Sequence, residues 1–197
     1  MSKKFEVPDF ETNGRELLKE AQRVAGSESV KFFKESFVKM GFTDSSFKGW
    51  KKTSNPLAGK RTMYKMGTLM QSVRRVEQNK RRIVVESDTE YSEIHNDGGS
   101  ITVTPRMKRF FWACYYELSG KIKKTKAGKV SNSRSNVKAS AKAEFCKRMA
   151  LMKVGSVIKI PQRQFMGNSQ AMMDLIDAEL QRRIEENFKN TPPITGV

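Results

Sequence analysis

His95 is the only histidine among 197 residues, and it stands in the stretch "YSEIHNDGGSITVTP", residues 91 to 105. A histidine beside Asn, Asp and two glycines invites several chemistries, and each can be tested against the rest of the chain. A zinc site needs several His, Cys or carboxylate ligands that converge. One histidine with Cys114 and Cys146, which are far apart and in no CxxC spacing, falls short of that. A metal-dependent nuclease built on His beside Asn would need a second histidine or a cysteine frame, and the chain offers neither. Serines and acids are too abundant for a Ser/His/Asp set to carry signal, and no GxSxG nucleophile elbow occurs. "NDGG" lacks the following helix and lysine of a phosphate-cradling loop. The sequence therefore predicts no catalytic residue, no metal ligand and no cofactor. It gives His95 a structural role: with Asn96, Gly98 and Gly99 it forms a turn, the histidine bonding turn backbone groups and the glycines accepting positive φ.

A turn of this kind needs elements on both sides to hold it. From Gly14 to Met40, Leu17, Leu18, Ala21, Val24, Ala25, Val30, Phe33, Phe37 and Val38 recur at three- and four-residue spacing, which predicts one helix or two broken near Gly26-Ser27. The Gly-, Ser-, Asn- and Pro-rich stretch that follows reads as a loop pinned by Phe47 and Trp50. "TLMQSVRRVEQN" predicts a helical turn or strand, and the β-branched run after it a strand over 81–86. Tyr91 to His95 reads as a helical turn and "ITVT" as a short strand. Pro105 opens a helix whose buried side is Phe110, Phe111, Ala113, Cys114 and Leu118. "GSVIKIPQRQF" reads as a strand ending at Pro161. Ser169 caps a last helix with the stripe Met172, Met173, Leu175, Ile176, Leu180, Ile184 and Phe188.

Composition bounds what these elements can serve. With 37% apolar residues the chain can bury a core, and its length suits one domain with an insertion or at most two small ones; a single domain over 1–197 is expected. The formal charge of +17 implies a polyanionic partner or an acidic protein surface. Two isolated cysteines favour a reduced compartment. The N-terminal sequence has no export signal and nowhere do about eighteen apolar residues run together, so a soluble protein with no membrane partner is expected. Much of the charge lies in a basic insertion over 121–153, where eleven Lys/Arg face the single acid Glu144. Its second half, Ala139 to Met152, either continues the preceding helix or forms its own. Its first half, Lys121 to Asn136, is polar enough to order only against a partner. The segment 190–197 reads as a flexible tail.

Five blocks of this sequence, in order, resemble the phage virion morphogenesis and tail-completion family, the neck and tail-joining proteins of tailed bacteriophages. "YSEIHNDGGSI" is similar to its "YAxxHxxGG" signature. "FKGWKK" resembles its tryptophan segment, and "MGTLMQSV" its "TGxLxxSI" block, with Met66 where threonine is usual. "ITVTPRMKRFFWACYY" resembles the variant with a "TPKMRRFFW" helix, and "IPQRQFMGNS" the closing "IPxRPFLGxS", with Gln164 in place of proline. The resemblance spans roughly residues 47 to 118 and 155 to 188, and the basic insertion is its main departure. It implies an α+β fold, a small, mostly antiparallel sheet packed against a long helix, here the N-terminal one, with the C-terminal helix alongside. It implies a non-enzymatic virion protein, assembled in the host cytoplasm, that joins tail to head. The implied partners are copies of itself in a ring, six by tail symmetry, a head-closure or connector protein, and a tail-tube or tail-terminator protein.

Under that resemblance, Trp112 and Tyr116 of "RFFWACYY" are candidate interface anchors, with core packing as the alternative. Arg163 and Phe165 are further interface candidates; Arg163 could pair with a carboxylate or carbonyl, and Phe165 could equally plug a core pocket. Lys121, Lys123, Lys124, Lys126, Lys129 and Arg134 form a candidate contact with three open readings: transient contact with genomic DNA in a channel, docking on an acidic surface of an adjacent ring, or a solvated loop. A nucleic-acid-binding module acting through 121–153 is the rival function. Its charge fits, but no aromatics are interleaved with the basic run and no helix-turn-helix or zinc pattern is present.

Overall fold

The computed structural model describes residues 10–79, 82–126 and 128–190. In chain order its elements are α1 (Phe10–Lys39), β1 (Gly41–Thr43), β2 (Phe47–Gly49), α2 (Thr68–Ser72), β3 (Val73–Gln78), β4 (Ile83–Ser87), α3 (Ser92–Asn96), β5 (Gly99–Thr102), α4 (Pro105–Gly120), α5 (Arg134–Leu151), β6 (Val157–Ile160) and α6 (Gln170–Asn190). The fold is α+β with long N- and C-terminal helices. The expected small sheet is three separate antiparallel pairs, β1-β2, β3-β4 and β5-β6. By its internal contacts the chain divides into two compact units. Each unit is assembled from stretches distant in sequence, which composition along the chain does not separate.

The first unit comprises the stretches to Gly49, from Leu69 to Thr89 and from Phe165 onward. Its spine is α1, which runs unbroken through Gly26-Ser27. Ser27 Oγ donates to the Val24 carbonyl at 3.0 Å and Ser29 Oγ to the Ala25 carbonyl at 2.8 Å, so both hydroxyls are satisfied within an unbroken helix. Gly26 is there for close approach: a Cβ at this position would lie 2.8 Å from Arg75 Cδ of β3. Only part of the expected apolar stripe is buried. Val24, Phe33 and Phe37 are enclosed, while Leu18 and Val38 lie on the outer side. Phe37 meets Phe165 with ring centroids 4.9 Å apart, and both are 0% exposed. At about 1.5–3 kcal/mol for each large apolar side chain buried, this pair contributes a large share of the unit's stability.

The last helix is fastened to the same unit at its start. Ser169 caps it by accepting from Met172 N–H at 3.1 Å, and its hydroxyl donates to the Thr43 carbonyl at 2.8 Å. Ile176 is the buried centre of its stripe; Met173 and Leu175 are exposed, and the Phe188 side chain lies outside the described residues. Farther along, Arg183 bonds Glu179 of its own helix and Glu20 of α1, each at 2.7 Å. The stretch after Gly41, expected to be a loop, contains the β1-β2 hairpin, and Phe47 is 53% exposed rather than an anchor. The strand expected over 81–86 runs from Ile83 to Ser87 and pairs with β3 through a bulge between Arg75 and Glu77; residue 81 lies outside the described residues. The expected tail falls outside them beyond Asn190.

The second unit comprises 50–68 and 90–164. It holds the β5-β6 ladder, in which Gly99 pairs with Ile160 and Thr102 with Val157. It also holds a helical hairpin, α4 packed on α5, whose tip is the basic stretch between them. The second half of the insertion is thus its own helix. It begins at Arg134, where Ser133 accepts from Asn136 N–H.

Candidate functional site

Three stretches distant in sequence meet in the second unit. The helical turn α3 brings Asp97 N–H to the Glu93 carbonyl at 2.8 Å, and Gly98 and Gly99, with φ of 76° and 153°, then swing the chain into β5. Gly98 is required twice over, since a Cβ there would sit 2.8 Å from the Gln162 backbone nitrogen in a conformation L side chains resist. The ladder carries the chain from β6 into Pro161 and Gln162, so that Arg163 N–H donates to the His95 carbonyl at 2.8 Å. Arg163 is 7% exposed, and its Nε donates to the Lys51 carbonyl at 3.2 Å. Next to it, the Gln164 carbonyl accepts from Trp50 Nε1–H at 2.7 Å. "GWK", "HNDGG" and "IPQRQ" are therefore one hydrogen-bonded hub.

His95 holds the turn through its main chain and not through the ring bond expected for it. Its ring stands edge-on to Tyr91 with centroids 5.9 Å apart, and its Nδ1 is buried without a hydrogen-bond partner. Burial, with the Arg163 charge adding to it, holds the imidazole below its ordinary 6.5. Burial likewise lowers the Arg163 guanidinium from its ordinary value. Among the described residues no three His, Cys, Asp or Glu side chains gather to hold a metal ion.

The hairpin is the second feature. Thr104 Oγ1 accepts from Met107 N–H at 3.2 Å and Pro105 occupies the first turn, so α4 starts where its sequence says. Small buried residues on α5, Ala143, Cys146 and Ala150, leave room for α4. Phe111 meets Phe145 edge to face at 6.2 Å. Burial, followed by the neighbouring Cys114, pushes the Cys146 thiol up, and both cysteines are free. With Phe111, Cys114 and Leu118 turned inward, the 100° step of a helix places Phe110 and Ala113 outside, contrary to the expected buried side; Phe110 is 59% exposed. Trp112 is half-buried and stacked on Tyr116 at 5.8 Å with an interplanar angle of 23°, and Tyr116 is 66% exposed.

The hairpin tip has a defined form. Thr125 N–H donates to the Lys129 carbonyl at 2.7 Å, Gly128 N–H to the Thr125 carbonyl at 2.9 Å, and Ser131 N–H to the Lys123 carbonyl at 3.0 Å. Asn136, only 3% exposed, clasps the two arms: its Nδ2 donates to the Lys123 carbonyl at 2.7 Å and the Ser131 carbonyl at 3.0 Å, and its Oδ1 accepts from Lys123 N–H. One buried amide thus ties the two arms of this stretch together. Lys121, Lys123, Lys124, Lys126, Lys129 and Arg134 all point to solvent, and Lys121 pairs with Glu117 at 2.5 Å.

The structure thus sorts the interface candidates. Tyr116 and part of Trp112 are on the surface. Arg163 and Phe165 are not: Arg163 is an internal fastener and Phe165 a core ring, because the closing block runs inward at both residues. The sequence reading missed the Asn136 clasp, hidden in a run of Ser and Asn, and the Trp50–Gln164 bond. Compared with protein-family models, with curated proteins and with solved structures, the chain matches none. Among the described residues no helix is long and apolar enough to cross a membrane.

Proposed function

We propose that this chain is a non-enzymatic structural protein of a tailed bacteriophage virion, which forms an oligomeric ring in the neck or tail-completion layer. Its partners in this reading are further copies of itself, a head-closure or connector protein, and a tail-tube or tail-terminator protein. The observation that carries the reading is the hub. Three of the five family-like blocks, separated by up to 114 residues, are tied by hydrogen bonds around the backbone of Arg163 and Gln164. Their meeting at one place supports reading the blocks as parts of one shared feature. Exposed Phe110 and Tyr116 on α4 add aromatic surface of the kind that anchors protein interfaces.

Light scattering on the purified protein, alone and mixed with tail tubes or connectors of its own phage, tests the reading at low and high salt. A ring, or a complex of defined mass formed with either partner, is the expected result. A monomer that stays a monomer in the presence of both would overturn it.

A further inference from the structure

The hairpin tip presents an unusual combination. It is built by internal hydrogen bonds, yet it buries none of the charge it carries. Residues 121 to 136 contain six Lys/Arg and no acid, aromatic or methionine. Asn136 and the Thr125–Lys129 turn hold the backbone, so the lysines are displayed from a formed loop rather than a collapsing one. Among the described residues, Lys123, Lys124, Lys126 and Lys129 have no ion-pair partner. Arg134 and Lys138, one turn apart on α5 and both exposed, extend the basic surface along the helix.

We propose that this tip is a contact surface for the phosphate backbone of duplex DNA. The choice of partner follows from what the tip lacks. Protein interface cores are depleted in lysine and anchored by aromatics, Met and Arg; among the described residues of the tip, the one largely exposed apolar side chain is Val130, at 51%. Single-strand binders stack bases on aromatic side chains, and the tip has none. Lysines on a small polar loop serve as point charges, which is what phosphates need when no base edge is read. Binding is therefore independent of base sequence and steeply dependent on salt. The inference stands apart from the ring assignment: a monomer can show it, and a ring can lack it.

The test is the salt dependence of binding to a fluorescent 30-bp duplex by anisotropy, for the wild-type chain and two charge-matched variants. One carries Lys123→Gln, Lys124→Gln, Lys126→Gln and Lys129→Gln. The other carries Lys51→Gln, Lys52→Gln, Lys60→Gln and Lys65→Gln, four exposed lysines of the same unit. Removing one lysine–phosphate interaction flattens the slope of log K against log salt by about 0.9, so the tip variant should lose about 3 to 4 units and the control less than about 1. Circular dichroism confirms that both remain folded. Equal losses in the two variants, or no loss in the first, would overturn the proposal. So would polyglutamate displacing the duplex at equal charge concentration, which would mark the tip as a dock for acidic protein. Light scattering on the same samples reports the ring separately.

Discussion

Arg163 and Lys124 carry the same charge in opposite settings. Arg163 is nearly enclosed, its Nε on the Lys51 carbonyl and its backbone on His95. Lys124 stands in solvent on a tip whose backbone bonds leave its ammonium unused. In the hub a cation holds distant stretches together, so its removal is felt as lost stability. At the tip the backbone and Asn136 hold the loop, so removing the lysine charges should leave stability nearly unchanged. A net charge of +17 is therefore no single property of this chain. Part of it is internal fastening, and part stands in solvent at the hairpin tip.

The sharpest structural contrast is the residue that follows the hub. Phe165→Ala removes a ring that is 0% exposed and packed on Phe37 at 4.9 Å. It should cost about 3–5 kcal/mol, read as a lower urea midpoint. A loss below about 1 kcal/mol would return Phe165 to the surface, where the sequence also allowed it to be.

How much of this was legible beforehand depended on whether the signal was local. The α1 helix, the Pro105 start of α4 and the Ser169 cap are patterns within a few residues, and each element appears where its pattern put it, though only part of the α1 stripe is buried. The β1-β2 hairpin was hidden because strands of three residues are too short to show alternation. Phe110 and Phe111 are adjacent aromatics that a helix sends to different sides, and only the position of α5 decides which is buried. The hub bonds of Trp50 and Arg163 cross 114 and 112 residues of chain, beyond the reach of any periodicity. The His95 turn was legible as a turn, but not that its carbonyl, rather than its ring, does the holding.

The comparison of the two cations gives the next prediction directly. Arg163→Ala withdraws a buried charged donor from the Lys51 carbonyl and should cost about 1.5–3 kcal/mol by urea denaturation. The four-lysine tip variant should fall within about 0.5 kcal/mol of wild type, since exposed substitutions away from packed features seldom do more. Duplex binding should reverse the order, lost in the tip variant and kept in Arg163→Ala under conditions where that variant is folded. If Arg163→Ala were silent in stability while the tip variant unfolded, the division of labour between the two regions would be inverted.

The smallest effect concerns the His95 imidazole in the hub. Burial, and then the Arg163 charge, hold the His95 imidazole below 6.5, so the folded chain resists a proton that the unfolded chain accepts. Above pH 6.5 both states are neutral and stability does not change with this group. As pH falls below 6.5 the unfolded state binds the proton first, and stability declines until the lowered folded value is passed, after which it levels. Glu179 makes a separate, more acidic window. Hydrogen bonds from Arg182 and then Arg183 bring its carboxyl from 4.5 down to about 2, so its contribution is present above 4.5 and lost as pH falls toward 2. Urea midpoints from about pH 8 to about pH 3 resolve the two. His95→Gln should abolish only the first decline, and Glu179→Gln should only lessen the second, to which Glu117, lowered by Lys121, also contributes. With a single histidine in the chain, a decline beginning near 6.5 that survives His95→Gln would show that the hub does not feel the charge of this ring.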